Sequence, residues 1–562
     1  MISSRRHVHK AVLTALIFAI LSGCGGNAGN TGSAIPPASE NGTPGQPSAV
    51  QGGTFTFALA GSPSGLDPNV VPAALDYRVM RSIYDSLVVQ LPDQSIKPWL
   101  AEEWTISPDG KEYTFKLRKD VKFHDGTPFN AAAVKANFDR IVNPATKSRF
   151  AVTLLGPYES SEAVDEYTVK VRLKSPYSAF LSSLSQAFLG IVSPAAAEKY
   201  KDQLTKNPVG TGPFKFVSWT ENSAVTLQRN PDYKWAPELA ANKGAPYIDK
   251  LVFKIIPEEA TRIGSVQSGQ VSAAETVPPQ NFVSLKQDPN VQLFQAESSG
   301  IPYTLMLNQD HAPWNELEAR KAVQLSIDFD AIVKTLYLGA YTRAWSPLTP
   351  SVLGYNASLE GAQKPDPDEA GRLLDGLGWV RGADGIREKN GKKLTIRYID
   401  ASPNREKRND IAAMIQQQLK KAGIAVEVEI LADTTPALMV KGTNDLVGVS
   451  NVSGDPDILR SFFHTNAIPK DGKWGHNHTH KSDPKVDAWL EEGLREQEPK
   501  KRAEIYKQVQ AYLIENAYGF PVYVFPYTVA AGKNVNGLKF DSLGYPLFYD
   551  VSLKNRNGGK PD

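Results

Sequence analysis

The chain of 562 residues carries 62 Lys and Arg against 60 Asp and Glu. It therefore has no basic excess to draw it to nucleic acid or anionic lipid, and its charges are scattered without long runs of one sign. No cysteine follows Cys24, the single one in the chain, so neither disulfides nor thiolate metal sites are available beyond it, and a chain of this length must be held by packed cores in several domains or lobes.

At the N-terminus, Arg5, Arg6 and Lys10 precede an apolar run from Ala11 to Leu21. The run is too short to cross a bilayer, which takes about 20 residues, and it reads as an export signal. The segment Leu21-Ser22-Gly23-Cys24 resembles the end of a bacterial lipoprotein signal, in which small residues precede a cysteine that is lipidated before cleavage. That resemblance implies a signal peptide over 1–23 and a lipid anchor on Cys24, where two or three acyl chains would hold the protein stably to a membrane. The alternatives are an ordinary secretory signal and a twin-arginine signal on Ser4-Arg5-Arg6, to which Val8 and His9 are a poor match. Residues 24–52 are rich in Gly, Ser, Asn, Pro, Thr and Ala with hardly any large apolar side chain, a composition that predicts a flexible tether. No later apolar run is long enough for a membrane span.

From Thr54 onward, short alternating or apolar stretches predict strands at Thr54 to Ala60, Tyr113 to Arg118, Tyr167 to Leu173, Ala224 to Arg229 and Leu251 to Ile256. Further strands are expected at Val291 to Ala296, Tyr303 to Asn308, Leu394 to Ile399, Ala425 to Ile430 and Pro521 to Phe525. Helices of 3.6-residue period lie between them. Asn130 caps one whose Val134, Phe138 and Ile141 share a face. Others run from Glu316, from Asp330 to Gly339, and from Asp368 to Leu377 with a stop at Gly378. Ile411, Ile415 and Leu419 mark another, ended by Gly423. The pattern is that of an α/β or mixed protein with more than one sheet.

Several local patterns occur together. Trp104-Thr105-Ile106-Ser107-Pro108-Asp109-Gly110-Lys111-Glu112-Tyr113-Thr114-Phe115-Lys116-Leu117-Arg118 continues into Val121-Lys122-Phe123-His124-Asp125-Gly126-Thr127-Pro128. Gly61-Ser62-Pro63 follows the first strand, and Gly210-Thr211-Gly212-Pro213-Phe214, Asn230-Pro231-Asp232-Tyr233, Gly454-Asp455-Pro456-Asp457 and Gly544-Tyr545-Pro546-Leu547-Phe548 come later in that order. Read as local structure, Ser107 to Gly110 is a turn between strands, and Gly210 to Pro213 is a bend before a strand, with no Gly-Lys-Ser/Thr ending of a phosphate loop. Together the patterns resemble the family 5 extracytoplasmic solute-binding proteins of ABC importers, which bind oligopeptides, dipeptides or nickel chelates. The resemblance spans residues 53 to 553.

The resemblance implies a two-lobed α/β fold of the type II periplasmic-binding-protein kind, with a hinge and an extra subdomain in lobe I. Lobe I would comprise 53–84, 203–299 and 518–562, the subdomain 85–202, and lobe II 300–517. It implies capture of a small ligand, foremost a short peptide, in the interlobe cleft of a monomer, and delivery to ABC permease subunits. The setting would be outside the cytoplasm on a membrane surface, with no cofactor and no catalysis. A nickel or other metal chelate is the second ligand class. An exported hydrolase is the rival class, and the sequence has neither Gly-x-Ser-x-Gly nor His-Glu-x-x-His, although a pair of distant carboxylates leaves no sequence signature.

The candidate ligand contacts implied by the resemblance are Gly61, Ser62, Arg118, Ser402, Arg405, Asn451, Val452, Ser453 and Asp455. Val452 stands where peptide binders carry an aspartate for the peptide's amino terminus, and Ser402 where dipeptide binders carry an arginine for the carboxylate. Arg405 and Arg408 are near enough in sequence to replace that arginine, or are solvated surface charges. Arg118 is either a cleft residue or half of a surface ion pair at a strand end. Asp455 and Asp457 are expected to cap a helix at Ile458 to Phe463. His476, His478 and His480 alternate in a loop after Phe463. Their imidazoles suit Ni²⁺, Cu²⁺ or Zn²⁺, and a solvated polar loop is the simpler expectation.

Overall fold

A computed structural model describes residues 51–439, 444–470 and 474–554. The expected signal, Cys24 and all but the last two residues of the tether lie outside the described residues. No helix among the described residues is long and apolar enough to cross a membrane.

Three main sheets organise the chain. The first has seven strands in the order Val291–Glu297, Pro526–Gly532, Ala273–Glu275, Thr54–Leu59, Lys250–Ile255, Ala224–Arg229, Phe214–Thr220. Thr54–Leu59 lies at its centre, parallel to both neighbours. Phe55, Phe57 and Leu59 point to one core while Ala58 points to another, so the strand is covered on both faces, as parallel pairing requires. A fully buried Phe or Leu of this kind contributes about 1.5–3 kcal/mol.

The second sheet has six strands in the order Thr342–Arg343, Gly519–Val524, Gly300–Leu307, Leu446–Val452, Thr395–Ala401, Ala425–Leu431. The helix Arg408–Ala422 packs Ile411, Ile415 and Leu419 against it and ends at Gly423, whose φ of 86° is one that glycine tolerates. The third sheet, of four antiparallel strands, is formed by Ala101–Ile106, Glu112–Leu117, Thr168–Leu173 and Tyr158–Asp165. The helix Ala131–Val142 covers it, capped as expected by the Asn130 side chain, which accepts from the Ala133 N–H.

The chain passes from the seven-stranded to the six-stranded sheet between Glu297 and Gly300, and returns between Val524 and Pro526. The expected boundary after Ala517 is therefore too early: Gly519–Val524 pairs with Gly300–Leu307, and the crossing residue is Phe525. The core of the four-stranded region also reaches beyond 85–202, taking in Tyr233, Trp235, Leu547 and Tyr549. Two helices not anticipated from sequence, Pro484–Arg495 and Pro499–Glu515, close the far side of the six-stranded region.

The glycine motifs have steric reasons. A Cβ on Gly210 would lie 2.2 Å from the Ile83 carbonyl oxygen, and one on Gly212 within 2.6 Å of it. The bend thus presses its backbone onto Ile83, where the Gly212 N–H donates at 2.8 Å. Gly110 closes the Ser107 turn at φ 68° with its N–H on the Ser107 carbonyl.

Candidate functional site

Between the seven-stranded and six-stranded sheets lies a cavity of about 890 Å³. On the first side it is lined by Ala60 at the end of the central strand, by Leu75 and Arg78 of the helix Ala74–Met80, and by segments 257–262 and 275–280. Phe150 and Phe188, edge to face at 4.9 Å, add an apolar corner. The opposite side contributes Ile301 to Tyr303, Tyr341, Asn404 to Lys407, Asp410 and Ser450 to Val452. Phe525 and Ser298, at the crossings, close the back.

Two charge clusters stand in these walls. In the first, Arg78 Nη1 donates to Glu275 Oε2 at 2.7 Å. Glu275 is fully buried and also accepts from the Ala60 N–H at 2.8 Å and from the Tyr527 hydroxyl. The rings of Tyr527 and Tyr545 flank the Arg78 guanidinium at 4.7 and 5.4 Å, an attraction that helps hold it in place. Burial pushes the Tyr545 hydroxyl up to about 12, so it is neutral.

In the second, Glu406 pairs with Arg408 at 2.8 Å and accepts from the Tyr523 hydroxyl. Arg408 also donates to Ser450 Oγ at 2.9 Å and lies 4.4 Å over the Tyr303 ring. Burial works to raise the Glu406 pKa, but the charges of Arg408 and Arg405 outweigh it and hold the carboxyl below its ordinary value. Tyr341 and Phe525 meet edge to face at 5.7 Å beside this cluster.

Of the sequence candidates, Arg405, Asn451 and Val452 line the cavity. Arg405 extends into solvent, its side chain 67% exposed. Gly61, Ser62, Arg118, Ser402, Ser453 and Asp455 are not in its lining. Arg118 is engaged by Asp120 at 3.0 Å as a strand-end ion pair. Asp455 is engaged by Arg502 through two bonds of 2.6 and 2.8 Å and accepts from the Asp457 N–H at 2.8 Å, so it is tied into the fold away from the cavity. The capping expectation is corrected as well: Asp457 stands at the N-cap of Ile458–Phe463 without a side-chain cap bond, and pairs with Arg460 and Tyr506 instead.

The histidine loop is folded in rather than solvated. His476 stacks on Phe462 at 5.1 Å and accepts from Trp474 Nε1, while His480 meets Asp310 at 3.0 Å. His478 is 2% exposed, and burial pulls its pKa down to about 3. None of the three lines the cavity, and no group of metal-ligating side chains suited to an ion is present among the described residues.

Arg78, Glu275 and Tyr527 were not singled out from sequence. They are brought together by the pairing of Thr54–Leu59 with Ala273–Glu275 and of the latter with Pro526–Gly532, contacts that no local pattern announces.

The chain matches a family model described as bacterial extracellular solute-binding proteins, family 5, over residues 95–470. It is 30% identical over 484 residues to the glutathione-binding protein GsiB of Escherichia coli K12, covering 84% of this chain and 89% of that protein. Its fold matches NikA of Brucella suis, solved in complex with Fe(III)-EDTA, with a TM-score of 0.79, 26% identity and coverage of 89% of this chain and all of that one. The periplasmic binding protein DppA of Helicobacter pylori, solved with the peptide STSA, gives a TM-score of 0.72 and 27% identity over 90% of this chain and 99% of that one. With two sheets facing each other across a cleft and two crossings behind it, the chain belongs to the bacterial extracellular solute-binding proteins of family 5, the binding components of ABC importers.

Proposed function

We propose that the ligand is a short peptide, held in the cleft and released to the permease without chemical change. The observation that carries this reading is the cavity of about 890 Å³, near the upper end of the roughly 300–1,000 Å³ of small-molecule sites. Its lining offers an apolar corner, both signs of charge and strand main chain. The register shift between Ile301 and Thr304, opposite Asn451 and Val449, loosens the ladder at the cavity edge and suits an extended ligand backbone. Val452 supplies no carboxylate for a peptide amino terminus, so main-chain contacts and the charges of the two clusters carry recognition. Peptide-like ligands named for GsiB and DppA are in keeping with this class.

Closure is a ligand-driven shift between open and closed states, with Ser298, Ser299 and Phe525 as the hinge. The protein works as a monomer outside the cytoplasm, lipid-anchored through Cys24. Native mass spectrometry of the protein purified from cells grown in rich medium tests the ligand class. A bound mass that leaves on denaturation and fragments as a peptide is expected, and a metal chelate or other non-peptide mass overturns it. For the anchor, Cys24→Ser is expected to move the protein from the membrane to the soluble fraction with ligand capture unchanged. Firm membrane attachment of this variant would sink the anchor.

A further inference from the structure

We infer that Arg78 receives a carboxylate of the ligand. The inference rests on the peptide reading above and names the group of the peptide that the seven-stranded wall selects.

The cleft's arginines differ in how far their donors are committed. Arg262 gives its Nε to the Glu275 carbonyl at 3.1 Å, its Nη1 to the carbonyls of Ile256 and Pro257, and its Nη2 to that of Thr276. Arg408 is engaged by Glu406, Tyr523 and Ser450. Arg78 differs: among the described residues its side chain donates one hydrogen bond, from Nη1 to Glu275, and its Nε is buried without a partner.

That leaves Nη2 without a protein acceptor at the cavity wall, on the same edge of the guanidinium as the enclosed Nε, and a charged donor of this kind pairs strongly with a carboxylate oxygen. A donor left without an acceptor is unfavourable, and a carboxylate arriving from the cavity supplies one for Nη2. Glu275 lowers the net charge that Arg78 presents and repels an incoming carboxylate, an opposition limited by the turn of its oxygens to Arg78, the Ala60 N–H and the Tyr527 hydroxyl. The flanking Tyr527 and Tyr545 rings hold the guanidinium plane before any ligand arrives, so little ordering remains to oppose binding. Arg405, at 67% side-chain exposure, is screened by water and is the weaker competitor for the same anion.

The test uses the full protein and a randomised tripeptide mixture in two forms, free acid and C-terminal amide, with capture read by native mass spectrometry. Wild type is expected to retain the acid over Asp- and Glu-free amides by about tenfold or more, the scale of a charge-assisted bond. Amides retained only when they contain Asp or Glu assign the carboxylate to a side chain instead of the terminus, and equally support the inference. Arg78→Gln is expected to lower capture and erase the preference, and Arg78→Lys, which keeps charge but loses the fork, to fall between. Equal capture of acids and neutral amides by wild type, where no variant's folding is at issue, overturns the role of Arg78 while leaving the peptide reading intact. A preference that survives in folded Arg78→Gln overturns it as well. Capture of no peptide at all overturns the peptide reading, and this inference with it.

Discussion

The two walls of the cleft carry the same kind of ion pair, built in opposite ways. On the seven-stranded side, Arg78 and Glu275 come from the helix Ala74–Met80 and the strand Ala273–Glu275, joined only by the folded sheet. On the six-stranded side, Glu406 and Arg408 are two residues apart in a turn where Glu406 and Lys407 take left-handed φ values of 54° and 57°. The local pair closes on itself, since Arg408 has a partner on each side and packs over Tyr303. The distant pair does not, and it leaves most of the Arg78 donors uncommitted. The wall assembled by long-range packing is thus the one with recognition capacity left over, while the locally assembled wall serves as a braced aromatic surface.

The comparison is broken most easily at Glu275. Its side chain is fully buried and joins the central strand, the Arg78 helix and Tyr527. Glu275→Ala leaves a largely buried guanidinium without its counter-charge, and removing one member of such a pair costs about 3–5 kcal/mol. The expected result is a large fall in the urea midpoint, with most of it recovered when Arg78 is also replaced by Met. A loss under about 1 kcal/mol would mean that the seven-stranded wall does not depend on this junction.

How much of this was legible in the sequence follows from range. The Asn130 cap, the Gly423 stop, the Ser107 turn and the strand Ala224–Arg229 are set by neighbours within a few residues, and the structure has them where the pattern put them. The family scaffold was legible because its turns and bends are local motifs whose order survives. The site was not, because its key contacts pair residues hundreds of positions apart, such as Arg78 with Glu275 and Glu275 with Tyr527. Asp455 shows the converse: its motif is local and easily found, but its partner, Arg502, lies on a distant helix and holds its carboxylate in an ion pair outside the cavity lining. The alternation of His476, His478 and His480 suggested a metal contact or a solvated loop, whereas His476 stacks on the core residue Phe462 and His478 is buried.

A smaller effect is expected on the other wall. Arg408→Ala removes charge-assisted bonds to Glu406 and a bond to Ser450, and is expected to cost about 1.5–3 kcal/mol near neutral pH. The pH dependence gives its signature. Glu406 is held below its ordinary value of 4.5 in the folded protein, so its pairing contributes stability that is fully present above that pH and is lost as pH falls through the lower folded value. Wild type and Arg408→Ala should therefore differ by a constant amount above about pH 5 and converge as acid protonates Glu406. A difference in denaturation midpoint that stays constant down to pH 3 would show that Arg408 acts through packing over Tyr303 rather than through the carboxylate.

The smallest effect is expected at Arg405, and it sharpens the contrast between the walls most directly. Its sequence position made it a candidate for the ligand's carboxylate, and it does line the cavity. With its side chain 67% exposed and its pairing to Glu406 at 3.1 Å shared with Arg408, its attraction for any anion is weakened by water and salt. Arg405→Ala should change stability by no more than about 0.5 kcal/mol and leave the preference for acid over amide peptides in place. If that preference vanishes in Arg405→Ala and persists in Arg78→Gln, carboxylate recognition belongs to the six-stranded wall, and the uncommitted donors of Arg78 serve the architecture of the cleft alone.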